Sequence, residues 1–220
     1  MFQSSNPIFE FRGPWGVPIQ IGGSILLLPL ILIDFGGTPR TVAFDLMFTA
    51  ILIGSIYLHE LGHAWGSLVQ GVPVKRIMLY GGGGFCERTR SASRYEQELI
   101  VAMGPIVTLV LWAGAGLIAP LVSDPEIAWV FYTISGVNGF LALLNLLPVH
   151  PLDGGKLFLL MMHSVFPTQT ANLVAGLVGL AFAVVWVPMM LYGFISLGFI
   201  LFFIPSVMLH WRMIRPARRA

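Results

Sequence analysis

Of 220 residues only 10% are charged and 56% are hydrophobic, with a mean hydropathy of +0.84. Soluble domains carry roughly 25% charged residues, so composition excludes a large soluble core and points to a membrane protein. The net charge of +2 is small, no nucleic-acid partner is expected, and the single Cys86 reads as a free, inert thiol that cannot form an internal disulfide.

Residues 1–17 are polar and broken by Pro7, Gly13, Pro14 and Gly16, and read as a short non-helical lead on the surface. A first span is predicted over about 18–33. Only Arg12 precedes it and residues 34–38 offer no small-x-small cleavage site, so a removed signal peptide is not expected. A second span covers about 44–69, and the polar stretch after it holds Lys75, Arg76, Arg88, Arg90 and Arg94. A third covers about 98–122, and a fourth, about 127–147, ends where Pro148, Pro151, Gly154 and Gly155 break the helix. Residues 156–168 read as a short amphipathic or re-entrant piece. Spans over about 171–187 and 190–209 are separated at Pro188, because nearly 40 apolar residues are about twice what one crossing needs. The expectation is an all-α polytopic membrane protein with about six transmembrane helices, forming a single domain over residues 1–220.

Alternate loops can be compared by their basic residues. With six spans, eleven of the twelve (Arg12, Lys75, Arg76, Arg88, Arg90, Arg94, Lys156, Arg212, Arg215, Arg218 and Arg219) share one side, and Arg40 lies opposite. The positive-inside rule then puts both termini in the cytoplasm. The C-terminal arginines are expected to anchor at anionic headgroups.

Three ionisable residues stand inside the second apolar run, in His59-Glu60-Leu61-Gly62-His63. On a helix of 3.6 residues per turn the two histidines share a face, so both imidazoles can reach one metal ion. Zn²⁺ accepts neutral imidazole nitrogens, and catalytic zinc sites use three protein ligands plus a water, with the Glu of H-E-x-x-H as general base. The chemistry implied is metal-assisted hydrolysis at a site roughly 10 Å from the cytoplasmic boundary, since His63 precedes Gln70 by about two turns. The competing reading is a satisfied polar cluster that ties helices together. A third ligand is needed, and Asp153 is the candidate, because it sits where the fourth span breaks near the cytoplasmic side; read alone, it is also a turn aspartate before two glycines.

Together, His59-Glu60-Leu61-Gly62-His63 and Asn145-Leu146-Leu147-Pro148-Val149-His150-Pro151-Leu152-Asp153-Gly154 resemble the two motifs of the site-2 protease family of intramembrane zinc metalloproteases, the second of which runs N-x-x-P-x-x-P-L-D-G. The resemblance implies that His59, His63 and Asp153 bind one zinc ion, that Glu60 activates a zinc-bound water, and that Asn145 holds substrate or the developing oxyanion. It implies substrates that are single-span membrane proteins, such as anti-sigma factors or membrane-tethered regulators, cut in or near their membrane segments in a bacterial inner membrane. Leu79–Phe85 resembles the family's glycine-containing membrane-associated strand between the second and third spans, so Gly82, Gly83, Gly84 and Phe85 are candidate substrate-binding residues. Gly104-Pro105-Ile106-Val107-Thr108 resembles the family's G-P-x-x-N, with Thr108 where Asn is usual. No loop reaches 30 residues, so a minimal form without an inserted PDZ domain or a nucleotide-sensing domain is expected. His150, His163 and His210 read as interfacial histidines. A non-proteolytic protein that binds or transports metal through the same residues is the alternative function.

Overall fold

The computed structural model describes residues 7–197 and 205–215. Thr38 opens its longest N-terminal element: its side chain accepts from the Thr41 N–H, Pro39 takes the first helical position, and helix α2 runs Pro39–Leu68. Ahead of it come strands β1, Pro7–Arg12, and β2, Pro18–Gly22, then a 3₁₀ turn leading into the short helix α1, Leu27–Leu32. After it come β3, Val74–Tyr80, and β4, Gly83–Arg88; α3, Arg94–Ile118, opens on a Ser93/Glu96 capping box, and α4 covers Pro125–Asn145. The remaining helices are α5, Asp153–Val165, α6, Thr168–Leu197, and α7, Val207–Ile214.

Contacts divide the chain into two compact units, Met1–Ala142 and Leu143–Ala220. In the first, a four-stranded sheet of order β1-β2-β3-β4 packs on α2. β1 and β2 are antiparallel, β2 and β3 parallel, and β3 and β4 antiparallel, so β4 is an edge strand. Val17, Ile19, Ile77 and Leu79 from the sheet side meet Ala64 of α2 to form the core. α2 and α3 approach closely through Gly62-x-x-x-Gly66: a Cβ at Gly62 would lie 2.6 Å from the Met103 carbonyl oxygen, and one at Gly66 would lie 3.1 Å from the Ile100 Cα. Small residues at this spacing allow such backbone contact between membrane helices. α4 joins through Asn138, fully buried, whose amide donates to Ser55 Oγ at 2.9 Å.

In the second unit α6 packs on α5 and α7. His210 of α7 is fully buried against Gly179 and accepts a hydrogen bond at Nε2 from the His150 N–H at 3.1 Å.

Among the described residues four helices, Pro39–Leu68, Arg94–Leu121, Pro125–Asn145 and Thr168–Gly193, are long and apolar enough to cross a membrane, and no more than 33% of any one span's apolar window is buried within the protein. The outward apolar faces then require lipid, and the chain is a polytopic integral membrane protein. The predicted span at 18–33 is instead a strand followed by a ten-residue apolar helix, Gly23–Leu32, about 15 Å long and too short to cross alone. The lead at 7–12 is the strand β1. α6 runs through Pro188 without a break, so residues 171–187 and 190–197 are one helix; the rest of the predicted last span is outside the described residues up to Pro205. The hairpin β3–β4 occupies most of the connection from α2 to α3, where one strand was expected.

Candidate metal centre and hydrolytic site

His59 and His63 lie on the same face of α2, 5% and 9% exposed, with their Nε2 atoms 3.1 Å apart and their rings nearly perpendicular at 88°. Two ligands about 2.05 Å from a tetrahedral zinc are roughly 3.3 Å apart, so this pair is already near ligand spacing. His63 Nδ1 donates to the Ile100 carbonyl oxygen of α3 at 2.7 Å. With that proton at Nδ1, the His63 Nε2 presents a lone pair, the usual arrangement when a second group orients a metal-binding histidine. Gly104 of α3 faces both rings: a Cβ there would overlap His63 Nε2 and lie 2.8 Å from His59 Cε1. Only a glycine leaves room for the imidazole pair.

Glu60, 6% exposed, sits at the neighbouring position and meets the edge strand. A Cβ on Gly84 of β4 would lie 2.6 Å from Glu60 Cγ and 3.1 Å from Oε1, so the backbone of β4 lies directly against this carboxylate. Its charge is felt along the hairpin. Burial first, and then the Glu60 carboxylate, pushes the Cys86 thiol up to about 12 against the opposing pull of Arg88, and the same two causes raise the Tyr80 phenol. Cys86 is therefore a protonated, unreactive thiol at neutral pH, as expected from the sequence.

The candidate substrate residues fall at this hairpin. Gly81 and Gly82 form its two-residue turn, Tyr80 pairs with Gly83, and Gly83 (φ +130°) adopts a conformation open chiefly to glycine; Gly84 and Phe85 continue β4. Thr108 is fully buried and its hydroxyl donates to the Pro105 carbonyl at 2.9 Å, so it closes on its own helix.

In the second unit Asn145 is the last residue of α4, and Asp153 opens α5. Asp153 is 4% exposed, and its Oδ1 accepts from Lys156 Nζ at 2.9 Å. The carboxylate also benefits from the helix N-terminus it occupies. Pro148–Leu152 folds back over the start of α5: a Cβ on Gly154 would collide with the Leu146 and Leu147 carbonyls, and one on Gly155 would lie 2.5 Å from the Val149 carbonyl carbon. The glycines after Asp153 therefore serve close backbone packing, and the plain turn-aspartate reading gives way to a buried carboxylate at a helix start. The Ile100 carbonyl and Lys156 are site residues that the sequence reading did not single out, and Gly104 was noted only within the G-P-x-x-N resemblance. Lys156 had a signal, the i,i+3 spacing from Asp153.

An apolar helical protein with a buried di-histidine pair and an adjoining carboxylate has the donor groups of a membrane metal site. Residues 115–186 match the model of peptidase family M50. A Synechocystis protein that carries the name zinc metalloprotease is 31% identical over 183 residues, 76% of this chain and 48% of its own length. The Methanocaldococcus jannaschii zinc metalloprotease is 26% identical over 191 residues, 84% of this chain and 54% of its own. Stage IV sporulation protein FB of Bacillus subtilis is 29% identical over 119 residues, 53% of this chain and 41% of its own. The chain thus spans about half the length of the curated relatives it matches. The solved site-2 protease from Methanocaldococcus jannaschii shares the fold, with a TM-score of 0.65 over 96% of this chain and 97% of that one at 20% identity. Residues 115–186 thus carry the likeness to peptidase family M50, and the fold is shared with a solved site-2 protease. Zinc is in the names of two of these relatives, and His59 and His63 are a buried pair with the donor chemistry for such an ion.

Proposed function

We propose that this chain is an intramembrane zinc endopeptidase that cuts single-span membrane proteins in or near their membrane segments. The observation that carries the reading is the pairing of a near-ligand-spaced His59/His63 couple with Glu60 held against the outer strand of a β-sheet.

His59 and His63 would hold the metal through Nε2, and Asp153 would supply the third ligand; its burial and its N-x-x-P-x-x-P-L-D-G setting support that assignment. Bound zinc would polarise the scissile carbonyl and acidify a water. Glu60 takes a proton from the attacking water and returns it to the leaving amine, a role that needs a carboxylate beside the metal ligands and out of bulk solvent. Ile100 keeps His63 in one tautomer throughout. Asn145 is proposed to hold substrate or the developing oxyanion.

β4 has an open edge, and an extended peptide adding to it would lie beside Glu60, with Gly82, Gly83, Gly84 and Phe85 as its nearest backbone partners. Pairing there would unwind a substrate helix and expose its amide. The proposal includes a single functional domain, both termini in the cytoplasm of a bacterial inner membrane, and regulators such as anti-sigma factors as substrates. Lys75, Arg76, Arg88 and Arg90, all between α2 and α3, support a cytoplasmic side for that connection.

The test is cleavage of a panel of single-span substrates by the full chain in proteoliposomes. Cleavage that a zinc chelator stops and added zinc restores supports the reading. Cleavage that survives the chelator overturns it.

A further inference from the structure

A cavity of about 620 Å³ lies beside β4, lined by Arg76, Phe85, Cys86, Glu87, Arg88 and Arg90, among others. Successive strand residues point to opposite faces, yet residues of both faces line this space. The cavity therefore reaches past the edge of β4, the outer strand whose Gly84 packs face-on against Glu60.

Its charge is unbalanced. Arg76, Arg88 and Arg90 line it against Glu87, and Lys75 and Glu96 pair with these lining residues. Glu87 is held by Lys75 at 2.7 Å and by Arg76 at 2.6 Å, and Glu96 by Arg90 at 2.8 Å. Arg88 is outside these pairs. Its Nη1 is buried and has no hydrogen-bond partner among the described residues. Buried guanidinium nitrogens are seldom left so, and a carboxylate is the acceptor that matches the guanidinium fork. Gly84, Cys86 and Arg88 share one face of β4, and the four residues from Gly84 to Arg88 cover about 13 Å.

We propose that the cavity beside Arg88 is a subsite for an acidic side chain of the substrate, four residues along the chain from the amide that lies beside Glu60. Arg88 is its specificity-determining residue. The proposal rests on the reading of β4 as the substrate-docking edge, and it favours a peptide over a lipid headgroup because the cavity continues that edge.

The test uses the full chain carrying Glu60→Gln, in zwitterionic micelles, and fluorescent peptides spanning the cleavage region of a single-span substrate. Each peptide bears Glu, Gln or Lys four residues from the target amide. The Glu peptide is expected to bind about tenfold more tightly than the Lys peptide, a preference that weakens with salt. Adding Arg88→Gln should reduce the preference to within about twofold, and Arg88→Lys, which keeps the charge and reports an intact fold, should retain most of it. Equal affinity for the three peptides overturns the subsite, as does a preference unchanged in Arg88→Gln. Equal affinities, with thermal stability that depends on Arg88 only when anionic lipid is added, overturn it in favour of a lipid headgroup. Cleavage of the same peptides by the parent separates the two claims. Charge-selective binding without cleavage supports the subsite and counts against the hydrolytic reading, whereas cleavage with no charge preference overturns the subsite alone.

Discussion

Gly84 on β4 and Glu60 on α2 are packed so closely that a single methyl group between them would sit 2.6 Å from the Glu60 Cγ. The strand on which a substrate would dock and the residue that would move its proton are thereby locked together. Gly84→Ala should push Glu60 out of line and cut the cleavage rate by at least ~10-fold, while zinc content stays at the parent level, because the three atoms nearest the added methyl all belong to Glu60. Metal analysis and single-turnover cleavage on one preparation check both halves.

Gly104 offers the converse experiment. The three atoms nearest a Cβ there all belong to the two imidazoles. Gly104→Ala is expected to lower zinc affinity by about 10- to 100-fold, the range seen when the supports of metal ligands are disturbed, and to recover activity when zinc is raised. Titration with a competing chelator reads the affinity directly.

Asp153 is assigned as the third ligand, and Asp153→Asn should weaken zinc binding by at least ~100-fold. Lys156→Met removes the partner of its Oδ1 at 2.9 Å without removing the carboxylate, and should retain zinc with a much smaller loss of affinity. Equal zinc affinity for the parent and Asp153→Asn would remove Asp153 from the ligand set.

His150 makes a pH prediction. Burial, with His210 and Lys156 adding to it, lowers the His150 pKa from 6.5 to about 4. The unfolded chain then binds more protons than the folded one between those values. Stability from this group is full above about pH 6.5 and falls as pH drops toward 4. In zinc-free protein the melting temperature of the parent should fall more steeply over that window than that of His150→Gln. Parallel curves would show that His150 does not carry the effect.

The long elements were legible because a bilayer needs about twenty apolar residues per crossing, and the runs behind α2, α3 and α4 meet that length. The sheet was harder to read. Pro18–Gly22 lies inside an apolar run and carries one polar position, Gln20, between Ile19 and Ile21. That period-2 signal is short, and the pairing that fixes it comes from β3, more than fifty residues away. Pro188 did not break α6, since proline removes one hydrogen bond that a membrane helix can forgo where its neighbours compensate. His210 looked interfacial because its slot is made by Gly176 and Gly179 of another helix, which no local pattern reveals. His59, Glu60 and His63 were legible as a site because helical spacing alone sets their shared face. The Ile100 carbonyl that orients His63 is a backbone atom and carries no sequence signature.

The most direct test of the central claim is zinc content and substrate cleavage measured together for the parent and Glu60→Gln. Proton transfer assigned to Glu60 predicts about one zinc per chain in both proteins and cleavage in the parent alone, lower in the variant by at least ~10²-fold. Zinc lost together with activity in Glu60→Gln would make Glu60 a metal ligand or a structural support, and would contradict the division of roles between Glu60 and the His59/His63 pair.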